Sequence, residues 1–203
     1  AGFSETGEEE GKRLERELVQ IACQGGVRII GPNCLGIHCP EAGISFETTI
    51  PRESGYTSFL SQSGANAREL ILSGAQQGIY FSKVISYGNA ADLNEADFLE
   101  YFARDADTKI IAAYIEGIKQ PQRFHQVLEE ASQRKPVIIL KGGQNEAGMR
   151  AVASHTGALA GTKEVWDTLC RQRKVIQVYN LEELADAISA FLYLKPPRGR
   201  RTA

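Results

Sequence analysis

The apolar positions of this chain follow a helical period over residues 8–23 and then, from residue 56 onward, break into short runs that alternate with helical stretches. In the first part Leu14, Leu18, Ile21 and Ala22 recur among charges, which predicts an amphipathic helix stopped by Gln24-Gly25-Gly26. Val27-Arg28-Ile29-Ile30 predicts a strand running into Gly31-Pro32-Asn33. Residues 41–55, with Pro51 and little periodicity, form a connector. Strands are then expected at 56–60, 78–86, 109–115, 136–140 and 175–178, with helices from 64 to about 74 and at 92–103, 122–132, 163–171 and 181–193. Apolar runs with few internal charges, separated by helices, predict a parallel sheet covered on both faces. Right-handed crossovers make this a doubly wound, flavodoxin-like α/β domain.

One helix and one strand cannot bury a core of their own. The opening residues are therefore expected to be the end of a βαβ domain whose earlier part is absent. Pro196-Pro197-Arg198-Gly199 is expected to be a linker.

Composition narrows the picture. With 203 residues, 42% hydrophobic and 24% charged, the chain is that of an ordinary globular protein. A net charge of −2 gives no field for nucleic acid or an anionic membrane, so neither is an expected partner. No run approaches the roughly 18 apolar residues of a membrane span. Cys23, Cys34, Cys39 and Cys170 fit neither a disulfide framework nor a zinc ribbon, so no metal site and a reducing cytoplasm are expected.

Candidate chemistry lies where strands end, because strand-to-helix loops of such a sheet gather along one edge. His155 stands among small residues in Ser154-His155-Thr156-Gly157, downstream of the 136–140 strand. It is either a nucleophile that an anion can approach closely or a residue that caps a helix or sits exposed in a turn. Ser61-Gln62-Ser63-Gly64 opens a helix and is either a phosphate cradle or an ordinary N-cap. Asn89, after Gly88, can orient an oxyanion or simply make a turn. Glu116 follows six apolar or aromatic residues; it is either an acid that orients an imidazole or an exposed loop glutamate. His125 is expected on a solvated helix face, His38 in a loop without assigned chemistry, and Trp166 in the core.

The motifs Gly2-Phe-Ser-Glu-Thr-Gly7, Arg28-Ile-Ile-Gly-Pro-Asn-Cys-Leu-Gly36, Ser61-Gln-Ser-Gly64, Ser86-Tyr-Gly-Asn-Ala90 and Ser154-His-Thr-Gly157 follow one another in this order. Together they resemble the NDP-forming acyl-CoA synthetases, including ADP-forming acetyl-CoA synthetase, and more distantly the α subunit of succinyl-CoA synthetase. The resemblance implies that residues 1–50 are the C-terminal part of a CoA-binding Rossmann-like domain plus connector. It implies that 51–195 are a flavodoxin-like domain and 196–203 a linker to an absent downstream domain. The implied reaction interconverts acyl-CoA, phosphate and NDP with acid, CoA and NTP through a phosphohistidine. His155 matches that histidine and Glu116 its supporting acid. Ser61, Ser63, Gly64 and Asn89, with Thr156 and Gly157, match the phosphate-receiving positions. Pro32, Asn33, Cys34 and Glu5 match the CoA-proximal ones.

The resemblance also implies that no cofactor is bound tightly. CoA and ADP or ATP are substrates, Mg²⁺ is held by an absent ATP-grasp domain or subunit, and the assembly is oligomeric. The fragment alone is expected to be inactive. Two other readings stand beside this one: a ligand-sensing domain of a protein lysine acetyltransferase, and a flavin binder by fold analogy.

Overall fold

The computed structural model describes residues 2–143 and 163–195. Its strands are β1 (Gly36–His38), β2 (Thr57–Ser61), β3 (Phe81–Ser86), β4 (Ile110–Ile115), β5 (Val137–Lys141) and β6 (Ile176–Val178). Its α-helices are α1 (Glu9–Gln24), α2 (Gly64–Gln76), α3 (Glu95–Arg104), α4 (Pro121–Arg134), α5 (Lys163–Gln172) and α6 (Leu181–Tyr193). The strands form one 6-stranded sheet in the order β1-β3-β2-β4-β5-β6. All neighbours pair parallel except β1, which runs antiparallel to β3.

β2 and β5 are buried along their whole length, as helices on both faces of the sheet require. Successive residues serve opposite faces. Phe59 packs with Leu70, Ile71, Leu184 and Ile188 beneath α2 and α6. Leu60 packs with Leu99, Phe102, Leu128 and Trp166 beneath α3, α4 and α5. Trp166 stacks on Phe124 at 6.4 Å between ring centroids, in the core where it was expected. Where the two faces meet at the strand starts, the buried hydroxyls of Ser58, Ser82 and Thr108 satisfy one another at 2.7 Å.

The expected strand at residues 27–30 does not form. That segment lies against the connection between β3 and α3 instead, where its polar groups are taken up by loop partners. Leu93 N–H donates to Ile29 O (3.2 Å), Ala91 N–H to Gly31 O (2.9 Å) and Asn89 N–H to Pro32 O (3.0 Å). Arg28 adds a two-pronged ion pair with Asp92, whose shorter contact is 2.7 Å. The sheet takes its edge from Gly36–His38, a stretch too short to show alternation. His38 is therefore a buried strand residue, with Nδ1 3.2 Å from Ser45 Oγ, and not part of a loop. His125 also departs from expectation, because Arg173 donates to its Nε2 at 2.9–3.1 Å and covers the ring in part. Among the described residues no helix is long and apolar enough to cross a membrane.

Candidate functional site

The carboxyl ends of β2, β3 and β4 enclose a cavity of about 240 Å³ lined by Asn33, Gln62, Ser63, Gly64, Gly88, Asn89 and Glu116. This is below the roughly 300–1,000 Å³ of sites for drug-sized ligands and leaves room for a small group such as phosphate. Four of the sequence-predicted site residues that match the phosphate side, Ser63, Gly64, Asn89 and Glu116, therefore share one wall system. A larger cavity of about 560 Å³ beside β1, with His38, Phe46 and Arg52 in its lining, shares no residue with this one.

The parallel ladder continues past the strand ends and sets the geometry. Gln62 N–H donates to Tyr114 O (3.0 Å), Tyr87 N–H to Ser61 O (3.0 Å) and Gly142 N–H to Ile115 O (2.8 Å). Ser61 is buried and spends its hydroxyl on Ser63 O at 2.6 Å, so it braces the turn from behind. Ser63 caps α2 by accepting Asn66 N–H at 3.3 Å. The N–H groups of Gly64 and Ala65 have no intrahelical acceptor and lie at the positive end of the helix dipole. The N-cap and the anion cradle are thus compatible roles of one helix start.

Glu116 is fixed from three sides. Tyr114 Oη donates to its Oε1 at 3.1 Å. Gln62 Oε1 accepts both Glu116 N–H (2.8 Å) and Gly117 N–H (3.0 Å). The ammonium of Lys141 donates to Glu116 O at 2.6 Å. Burial, and then the Glu116 charge, raise the Tyr114 phenol above its ordinary pKa, so Tyr114 stays a donor. Three residues further along, buried Glu95 at the start of α3 accepts Lys119 N–H on its Oε1 at 2.7 Å and holds the segment after Glu116. Burial pushes the Glu95 carboxyl up.

Asn89 is turned toward the amino-terminal segment. Its Nδ2 donates to Glu5 Oε2 (2.6 Å), Glu15 Oε2 (2.8 Å) and Ser4 Oγ (3.3 Å), and its backbone N–H goes to Pro32 O. In this arrangement its donors serve that contact, and the N–H groups offered to an anion are those of the α2 start. Asn33, in the left-handed region at φ 54°, reaches Asn89 Oδ1 at 3.4 Å. Pro32 and Asn33 thus abut the cavity, and Cys34 lies behind them with Sγ 3.6 Å from Ile30 O; burial pushes its thiol up. His155, Thr156 and Gly157 lie outside the described residues.

Sequence reading missed Gln62 and Lys141 as site-building residues. Gln62 sat unremarked between two serines, and Lys141 lay just past the expected 136–140 strand with no role assigned. The signal available was a polar residue abutting an apolar run at the sheet's carboxyl edge. Among the described residues no group of three or more His, Cys, Asp or Glu converges as a metal cage would require.

A doubly wound sheet with a helix start and an acid meeting at a small cavity on its carboxyl edge defines a flavodoxin-like α/β domain. The chain belongs to the succinyl-CoA ligase-like flavodoxin domain family, whose model matches residues 54–191. It is 45% identical over 204 residues to the α subunit of ADP-forming acetate–CoA ligase II from Pyrococcus furiosus, covering 100% of this chain and 44% of that protein. It is 44% identical over 197 residues to ADP-forming acetate–CoA ligase I of Archaeoglobus fulgidus, covering 96% of this chain and 28% of that protein. Among solved structures, the dinucleotide forming acetyl-coenzyme A synthetase 1 of Ca. Korarchaeum cryptofilum, in complex with phosphate and ADP, superimposes with a TM-score of 0.88 at 35% identity. That match covers 98% of this chain and 43% of that one. The chain spans less than half the length of these relatives.

Proposed function

We propose that this chain is the phosphoryl-carrying part of an NDP-forming acyl-CoA synthetase. The whole enzyme interconverts acyl-CoA, phosphate and NDP with the free acid, CoA and NTP. The observation that carries this reading is the convergence of the α2 start (Ser63, Gly64) and Glu116 on one phosphate-sized cavity in a member of this family. His155 is the group phosphorylated: neutral imidazole attacks the phosphorus of an acyl phosphate, the carboxylate leaves, and the phosphoryl group passes on to NDP. Glu116, held by Tyr114 and Gln62, orients the imidazole, and the α2 N–H groups stabilise the transferring oxygens.

Ser61 braces the cradle, and Thr156 and Gly157 flank the histidine. Pro32, Asn33, Cys34 and Glu5 lie toward the CoA side. An ATP-grasp domain or subunit supplies the nucleotide and Mg²⁺ site, and the enzyme works as an oligomer in the cytoplasm.

The test is incubation of the assembled enzyme with γ-labelled ATP. Acid-labile label at His155, absent from His155→Ala, supports the assignment; label that persists in His155→Ala overturns it.

A further inference from the structure

The cavity poses an electrostatic problem. Among the described residues its lining holds one carboxylate, Glu116, and no cation, and Asn89 in the same lining is bonded to two more carboxylates, Glu5 and Glu15. A phosphate bound there meets like charge. The α2 helix start offsets part of this, with about half a unit charge at its N-terminus.

Lys141 supplies a full positive charge next to the wall. It is the last residue of β5, only 8% exposed, and its Nζ donates to Glu116 O at 2.6 Å and Gly142 O at 2.7 Å. The turn that follows is pressed against the same acid: a Cβ added to Gly142 would lie 2.9 Å from Tyr114 Oη and 3.2 Å from Glu116 Cγ. Burying an ammonium is costly, and an apolar side chain of similar length would fill the same space more cheaply. Burial lowers the Lys141 pKa, and the Glu116 charge opposes that shift. An ammonium has three donors and no acceptor, so two backbone carbonyls of different strands can be held by one charge.

We propose that Lys141 is a positioning residue of the phosphoryl-transfer site, joining the ends of β4 and β5 and holding a buried positive charge behind Glu116 so that the cavity admits phosphate. It touches the frame of the site and acts on phosphate through Glu116 and the field. This inference rests on the phosphoryl-carrier reading.

The test uses the assembled enzyme with Lys141→Met, Lys141→Arg and Lys141→Gln, assayed in the acyl-CoA, phosphate and NDP direction. Lys141→Met is expected to raise the KM for inorganic phosphate by about 10- to 100-fold, the usual effect of losing a supporting contact. The KM values for CoA ester and NDP should stay within about twofold, since the Lys141 ammonium is bonded behind Glu116 and not to the Pro32–Asn33 side. Lys141→Arg, which keeps the charge, should recover part of the phosphate affinity. A purely structural role would lower the amount of active enzyme and leave all three KM values alike. If Lys141→Met yields no folded protein, the neutral Lys141→Gln, which keeps one N–H donor, is read by the same criterion. An unchanged phosphate KM in a folded neutral variant overturns the inference. The carrier reading fails separately, if wild-type enzyme gives no acid-labile label at His155.

Discussion

Glu5 Oε2 lies 2.6 Å from Asn89 Nδ2, so a carboxylate of the amino-terminal segment is bonded to the wall of the phosphate-sized cavity. Burial alone would raise the Glu5 carboxyl; Asn89 and the backbone N–H groups of Phe3 and Gly2 together hold it below its ordinary pKa. Glu15 meets the same amide at 2.8 Å. Asn89→Asp would place a third carboxylate in this node. We expect it to cost about 1–3 kcal/mol near neutral pH, the scale of a buried donor lost and a charge left opposed. The new carboxyl titrates above its unfolded value, so the deficit should shrink as pH falls and it protonates. Thermal melts of wild type and variant across pH 4–8 check this; a deficit that grows on acidification would contradict it.

Gln62 is expected to matter more for the site than its sequence position suggests. Its single Oε1 accepts two N–H groups on either side of the Glu116 side chain. Gln62→Leu leaves both without that acceptor and should destabilise by about 2–4 kcal/mol, with slower phosphohistidine formation. Gln62→Glu preserves the acceptor and should cost clearly less. Denaturant melts of the two variants decide the matter, and equal losses would show that the acceptor is not what counts.

Much of this was legible in the chain. Alternating apolar runs and helices gave the sheet and both covering layers, and α6 begins and ends at the expected residues. The edge strand was hidden because Gly36-Ile37-His38 is too short to carry a period. The 27–30 segment misled because β-branched residues favour extended backbone whether or not a strand pairs with them. Ser63, Gly64, Asn89 and Glu116 line one cavity, as expected of strand ends that converge in such a sheet. Gln62, Lys141, Glu15 and Glu95 were not, because their roles depend on hydrogen bonds between elements distant in sequence, which no local pattern encodes.

Two glycines at the cavity should respond differently to alanine. Gly88 has φ 50°, and a Cβ there would stand 2.2 Å from Asn33 O and 2.4 Å from Pro32 O. Both obstacles are backbone, so Gly88→Ala must displace the 32–33 segment and should cost about 1–3 kcal/mol or more. At Gly64 the obstacle is Leu35 Cγ at 2.8 Å, a side chain that is 40% exposed and free to turn aside. Gly64 also opens α2, where alanine is the better helix former, so Gly64→Ala should stay within about 1 kcal/mol of wild type. Calorimetric melts of both variants provide the comparison, and a larger loss at Gly64 would refute it.

Lys83 and Asp105 should give the fold a stability plateau with an acid edge. Lys83 Nζ lies 2.9 Å from Asp105 Oδ2, with side chains only 15% and 10% exposed, and Thr108 Oγ1 also donates to Asp105 at 2.5 Å. Burial by itself would lower the lysine and raise the carboxyl. The hydrogen bonds from Thr108 and Lys83 outweigh it at Asp105, whose pKa falls, and those to Asp105 and Asp107 outweigh it at Lys83, whose pKa rises. The Asp105 contribution is therefore fully present above the unfolded carboxylate pKa and is lost as pH falls through the depressed folded value. The Lys83 contribution is present below the unfolded lysine pKa and is lost only as pH rises through the raised one. Asp105→Asn should lower stability by about 1–3 kcal/mol at neutral pH, and its melting curve should converge on wild type in acid. Lys83→Met leaves the buried carboxylate without its cation, whereas Lys83→Met combined with Asp105→Asn removes both charges together. The double variant should therefore lose less than the two single losses added, which a double-mutant cycle at neutral pH measures directly. Strict additivity would mean that the two groups are stabilised independently of each other.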